Sequence, residues 1–164
     1  MTILQVCEWL ENTQVGLLVR ESLWGFPLLV AIHILGLTVS AGVVVWFDLR
    51  LLGFGLRRCP VSQVTRRLLP LAASGFAVMF ISGALLFTGF ATKAYGNVYF
   101  RVKAAALILA GANALFYHLM TERQAAQWDE VAWPPVPARL AGLLSILLWA
   151  TVAIAGRMMS YTMF

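Results

Sequence analysis

From Phe26 to Phe47 the sequence carries no formal charge and is almost wholly Leu, Val, Ile, Ala and Gly. A helix of about 20 apolar residues spans the ~30 Å hydrocarbon core of a bilayer and satisfies its own backbone hydrogen bonds. Comparable runs recur along the chain, which predicts helical spans at about 24–52, 68–91, 99–120 and 138–162. With 61% hydrophobic and 12% charged residues among 164, and a mean hydropathy of +0.83, nothing is left over for a soluble domain. The predicted fold class is therefore all-α: one integral membrane domain over 1–164, a four-helix bundle preceded by an N-terminal interfacial helix.

That first helix is read from Ile3, Val6, Cys7, Leu10, Leu17 and Leu18, which recur at helical spacing with Glu8 and Glu11 between them. The pattern predicts one helix over about 2–20 lying in the headgroup region, as an anchor or as a lid over a site on that face. Trp9 and Trp24 suit headgroup-level anchoring, and Pro27 suits the first turn of the span that follows. No basic leader precedes an early apolar core, so the first span is expected to direct insertion. The formal charge of +5 comes mostly from Arg and Lys in connections and at helix ends, a pattern that orients a membrane protein rather than one that binds nucleic acid.

Arg50, Arg57, Arg58, Arg66 and Arg67 flank or fill the first connection, which places it in the cytoplasm and the N-terminus outside. Lys93, Arg101 and Lys103 make the second connection basic too, so the bias is moderate. Cys7 and Cys59 fall on opposite sides of the first span and cannot pair, and no CxxC spacing signals zinc or redox chemistry. The stretch 129–137, with three prolines and Trp133, reads as a stiff loop. Gly36, Ser40, Gly42, Gly75, Gly83, Gly111 and Ala112 let helices, or a flat ligand, approach closely. They are equally compatible with a homo-oligomer or with a subunit of a larger complex.

His33 lies inside the uncharged run, where a polar, titratable ring is costly unless it finds a partner. The chain has only two histidines, so a haem or metal reading passes through His33, His118 or both. With alternating span directions, His33 sits near one face of the membrane and His118 near the other, roughly 15 Å apart along the normal at ~1.5 Å per residue. Two axial ligands of one haem share a depth, which argues against a bis-histidine haem within one protomer. At the depth of His33 the spans offer Arg101, Lys103, Arg157, Met158 and Met159. Cations there suit haem propionates or a quinone, and methionine sulfur suits haem iron or Cu(I). Alternatively the cations snorkel and the methionines fill space. At the other level, His118 is expected to contact Asp48, with Arg66 or Glu122 as other partners for the rim. No Ser–His–acid set, intramembrane carboxylate pair, phosphate loop or zinc spacing is present, which leaves hydrolases and nucleotide binding without support.

Trp24 to Pro27, His33-Ile-Leu-Gly36, Asp48-Leu-Arg-Leu-Leu-Gly53, Pro70, Phe100-Arg-Val-Lys103 and Gly156-Arg157 together resemble a bacterial family of four-span inner-membrane proteins of unknown function. Span one and the start of span three are more distantly similar to HemJ-type protoporphyrinogen oxidases and to the membrane domain of CopD copper-resistance proteins. The resemblance implies haem b held through the span-one histidine, which falls on His33. Where HemJ-type proteins carry a histidine two residues before the span-three lysine, this chain has Arg101, a departure that counts against porphyrinogen oxidation. The Tyr117-His118 pair is also HemJ-like. The reading that results is a bacterial inner-membrane haem protein for electron transfer, with His33 as axial ligand and Met158 or Met159 as a second. Its expected partners are the lipid bilayer, a quinone or a redox protein; copper handling and a cofactor-free assembly subunit are the alternatives.

Overall fold

A computed structural model describes residues 2–54, 60–121 and 133–163. Among them the chain is helical throughout: α1 (Ile3–Glu11), α2 (Gln14–Glu21), α3 (Gly25–Leu51), α4 (Val61–Gly89), α5 (Ala91–Gly96), α6 (Val98–Phe116) and α7 (Val136–Met163). Four helices are long and apolar enough to cross a membrane: α3, α4, α7, and α6 continued to Met120. Their outward faces carry Leu35, Ile81, Ile108, Leu140 and Ile154, each more than half exposed. Such faces are stable only against lipid, and the protein is a multi-pass membrane protein.

The single helix expected over 2–20 is two. Asn12 Nδ2 donates to the Glu8 carbonyl at 2.8 Å and Thr13 Oγ1 to the Leu10 carbonyl at 2.6 Å, closing α1. The same Thr13 Oγ1 accepts from Gly16 N at 3.2 Å and opens α2. Gly16 is required at the joint, because a Cβ there would stand 2.6 Å from the Leu10 oxygen and 2.8 Å from the Thr88 oxygen. Three further boundaries differ from expectation. Helix α4 begins at Val61 rather than near 68, carrying Arg66 and Arg67 on a helical extension and Pro70 within the helix. The short α5, capped into α6 by Asn97, fills the second connection. Helix α7 begins at Val136, so Pro137 lies in a first turn, where a missing N–H costs little. Residues 129–132, Arg57, Arg58, Cys59 and Glu122 lie outside the described residues; Cys7 is buried in α1.

The spans pack as two intimate pairs, α3 on α4 and α6 on α7, joined chiefly along α3 and α7. Small residues make the first pair close: a Cβ on Gly36 would meet Met79 N at 2.9 Å, and one on Gly75 would meet Ser40 N at 2.7 Å. This is backbone-on-backbone packing of the kind that holds helices together where lipid removes the hydrophobic drive. Asn113 Nδ2 donates to the Ala141 carbonyl at 2.9 Å across the second pair. Gly142 brings α7 against Asp48 and Leu51 of α3. Met79, Ala106, Ala110, Trp149 and Val152 form the central core. Contact between α4 and α6 is slight; Phe87 stacks on Phe100 at 5.4 Å near one end, and a cavity opens further along.

Helices α1, α2 and α5 gather at that same end. Glu11 Oε1 accepts from Thr92 N at 2.7 Å and Thr92 Oγ1 at 2.6 Å, and Arg20 lies 3.9 Å from Glu11 Oε2. Val19 packs on Gly89, and Phe26 meets Phe90 edge-on at 5.1 Å. The first twenty residues are thereby docked onto the bundle as well as apolar on their free side, where Ile3, Trp9 and Leu18 are exposed.

Candidate functional site

His33 stands two turns into α3 and turns its ring across the α3–α4 contact. Gly83 makes room: a methyl group there would lie 2.9 Å from Cε1 and 3.3 Å from Nδ1. Nδ1 sits 3.0 Å from the Met79 carbonyl and 3.1 Å from Ser82 Oγ. The carbonyl can only accept, and Ser82 donates its own proton to the Val78 carbonyl at 2.6 Å. Nδ1 is therefore the protonated nitrogen, donating to both oxygens, and Nε2 presents its lone pair. Facing Nε2 at 3.5 Å is Nζ of Lys103, reaching over from α6. A Cβ at Gly156 of α7 would stand 3.7 Å from that same Nζ. Residues from all four spans thus converge on one imidazole ring and one ammonium.

The depth reading brought Arg101, Lys103, Arg157, Met158 and Met159 to this level, and the structure joins one of them, Lys103, to His33. Arg101, Arg157 and Met158 are exposed, while Met159 is half-buried. Arg157 turns back along its own helix, where Nη2 donates to Tyr161 OH at 2.8 Å and the guanidinium lies 4.7 Å over the Tyr161 ring. The sequence reading missed Ser82 and the Met79 carbonyl. Ser82, one residue from Gly83 in a hydrophobic span, was a usable signal; a backbone carbonyl has none.

Toward the opposite end, a cavity of about 640 Å³ opens between α4 and α6 and reaches α3 and α7. Its walls are apolar, with Phe47, Phe76, Phe80 and Trp149 among them, and its polar groups collect near the helix ends. There α6 passes into a π-helical turn, Tyr117–Thr121, which carries the buried Tyr117 and the exposed His118. Asp48 is almost fully buried at this end, and its carboxylate hydrogen-bonds Ser145 of α7. Among the described residues its Oδ2 meets no hydrogen-bond donor. Among the described residues no group of three His, Cys, Asp or Glu side chains gathers as a metal-ligand set.

The sequence model of a family of unknown function, DUF6644, matches residues 7–162. No curated protein and no solved structure matches the chain.

Proposed function

The chain belongs to the DUF6644 family, which lends it no activity, so we propose from its own residues that it is a small membrane haem protein holding haem b through Nε2 of His33. The observation that carries this reading is the pair of hydrogen bonds from His33 Nδ1 to the Met79 carbonyl and Ser82. Metal-ligating histidines characteristically donate their other ring N–H to a carbonyl or carboxylate, which fixes tautomer and ring orientation. Here that donation is made inside a membrane span, where a histidine without a task is costly. Lys103, on a flexible stem beside Nε2, supplies a cation for an anionic propionate and can swing off the ring to meet it. A haem held there would supply one-electron transfer, its potential set by ligands and burial.

The donor set favours haem over copper. Porphyrin brings four nitrogens of its own, so one protein nitrogen suffices, whereas a copper site needs several convergent protein donors. In this reading His33 supplies that nitrogen, and of the two methionines near its level Met158 is exposed and Met159 half-buried. Electron transfer is favoured over porphyrinogen oxidation because Arg101, standing where HemJ-type proteins carry histidine, is exposed and brings no imidazole. A membrane quinone or a redox protein, within a larger complex, is the proposed partner. The arginines of the first connection favour a bacterial inner membrane orientation with α1 and α2 on the periplasmic side. His118 offers a second reading, since it lines the cavity between α4 and α6 and is the remaining imidazole.

The experiment is to express the protein with haem precursor, purify it in mild detergent, and record oxidised and dithionite-reduced spectra of the wild type and of His33→Gly with and without added imidazole. A Soret band with sharp reduced α and β bands, lost in His33→Gly and restored by imidazole, is the expected result. A wild-type preparation without a Soret band would overturn the haem reading.

A further inference from the structure

The cavity between α4 and α6 differs from the His33 site in depth, shape and polarity. It begins at Phe80, next to Met79 of the His33 site, and at Leu107, one helical turn from Lys103, and ends at Asp48, Tyr117 and His118. Leu69, Phe80 and Leu115 line it and are each more than half exposed, so its mouth opens sideways into the hydrocarbon. Its volume falls among those that enclose a drug-sized ligand, about 300–1,000 Å³.

The polar lining asks for a particular chemistry. Thr65 Oγ1 donates to the Val61 carbonyl at 3.0 Å, and one N–H of Asn113 Nδ2 to the Ala141 carbonyl at 2.9 Å, so these donors are largely engaged within the fold. Asp48 is 3% exposed, Ser145 engages its carboxylate, and among the described residues Oδ2 remains a buried acceptor with no donor. A buried acceptor of that kind is costly, and a ligand hydroxyl would satisfy it. An ionised fatty-acid head has no donor to offer Oδ2, which disfavours it as the occupant. Aromatic walls, including the Phe47–Tyr117 edge-to-face pair at 5.6 Å, suit a ring. Because the polar end lies at the helix ends and the apolar end toward the bilayer centre, an occupant sits as a lipid does, head toward the interface.

We propose that this cavity is a laterally entered binding site for a neutral, ring-headed lipid of the isoprenoid hydroquinone class, with Asp48 accepting a hydrogen bond from a ring hydroxyl. The site lies away from Arg101, Lys103 and Arg157, where the sequence suggested quinone contacts, and it does not depend on haem at His33.

Gly111 supplies a clean test, since it lines the cavity and a Cβ there meets nothing within 4 Å. Gly111→Leu puts a bulky side chain on the cavity wall from a Cβ that displaces no neighbour. Gly42→Leu, at a position equally open but outside the lining, is the control. Purified protein in detergent is titrated anaerobically with decylubiquinol, with its dimethyl ether and with oleate, following tryptophan fluorescence, to which Trp149 in the wall contributes. Decylubiquinol is expected to bind the wild type and Gly42→Leu alike, and at least about tenfold more weakly to Gly111→Leu and Asp48→Leu. The dimethyl ether, which has no hydroxyl to donate, should lose a similar factor against the wild type. Equal binding of quinol and ether, or tighter binding of oleate, would overturn the proposal. So would a haem spectrum abolished by Gly111→Leu, which would assign the cavity to the porphyrin.

Discussion

A methyl group at Gly83 would press against Cε1 of His33 from 2.9 Å, and Ser82 beside it holds the proton of Nδ1 in place. Two neighbouring small residues of α4 therefore aim one ring of α3. Two outcomes follow for variants that leave His33 itself intact. Gly83→Ala should push the imidazole off its hydrogen bonds and lower haem occupancy in purified protein, read as the ratio of Soret to protein absorbance. Ser82→Ala leaves the Met79 carbonyl as sole acceptor, and haem should pass to an external scavenger about tenfold faster, the scale typical of lost outer-shell partners. Haem loss at the wild-type rate in both variants would mean that the ring is not aimed by α4. Depth alone made Lys103 legible as a neighbour of His33, because rise per residue is fixed along a helix. It could not show which cations turn toward the ring, since Arg157 is drawn instead to Tyr161 four residues on in its own helix.

Between elements, glycine decides closeness. Gly75 meets the backbone of Ser40, which cannot yield, so Gly75→Val should prise α3 from α4 and cost at least ~1–3 kcal/mol, seen as a lower melting temperature in micelles. Gly42→Ala meets nothing and gains helix propensity, up to ~1 kcal/mol, so its melting temperature should hold or rise. An equal fall in both would remove the packing argument. The four spans were legible because apolar length is a long-range signal that no local detail reverses. The break at Asn12 and Thr13 was not, because one residue-long cap outweighs a helical period, although Thr13 three residues before Gly16 is a capping spacing. Helix α5 was hidden in the same way: six residues are too few to show a period. The extension of α4 to Val61 escaped because Arg66 and Arg67 end a hydropathy window without ending a helix.

For the whole molecule, the four spans place a His33–Lys103 site near one end and an apolar cavity toward the other. At the first end Glu11 ties α1 to the α4–α5 joint through Thr92. Glu11→Ala should loosen α1 and α2 without unfolding the spans, exposing the segment before Leu23 to limited proteolysis while helicity stays constant; unchanged protection would show that apolar contacts alone hold it. The assignment of chemistry to the His33 end is the central claim, and parallel reduced-minus-oxidised spectra of His33→Ala and His118→Ala test it most directly. The account predicts that His33→Ala, folded and monodisperse, has lost its α and β bands while His118→Ala keeps most of their amplitude. Bands that survive in His33→Ala and vanish in His118→Ala would contradict it and move the haem to the cavity.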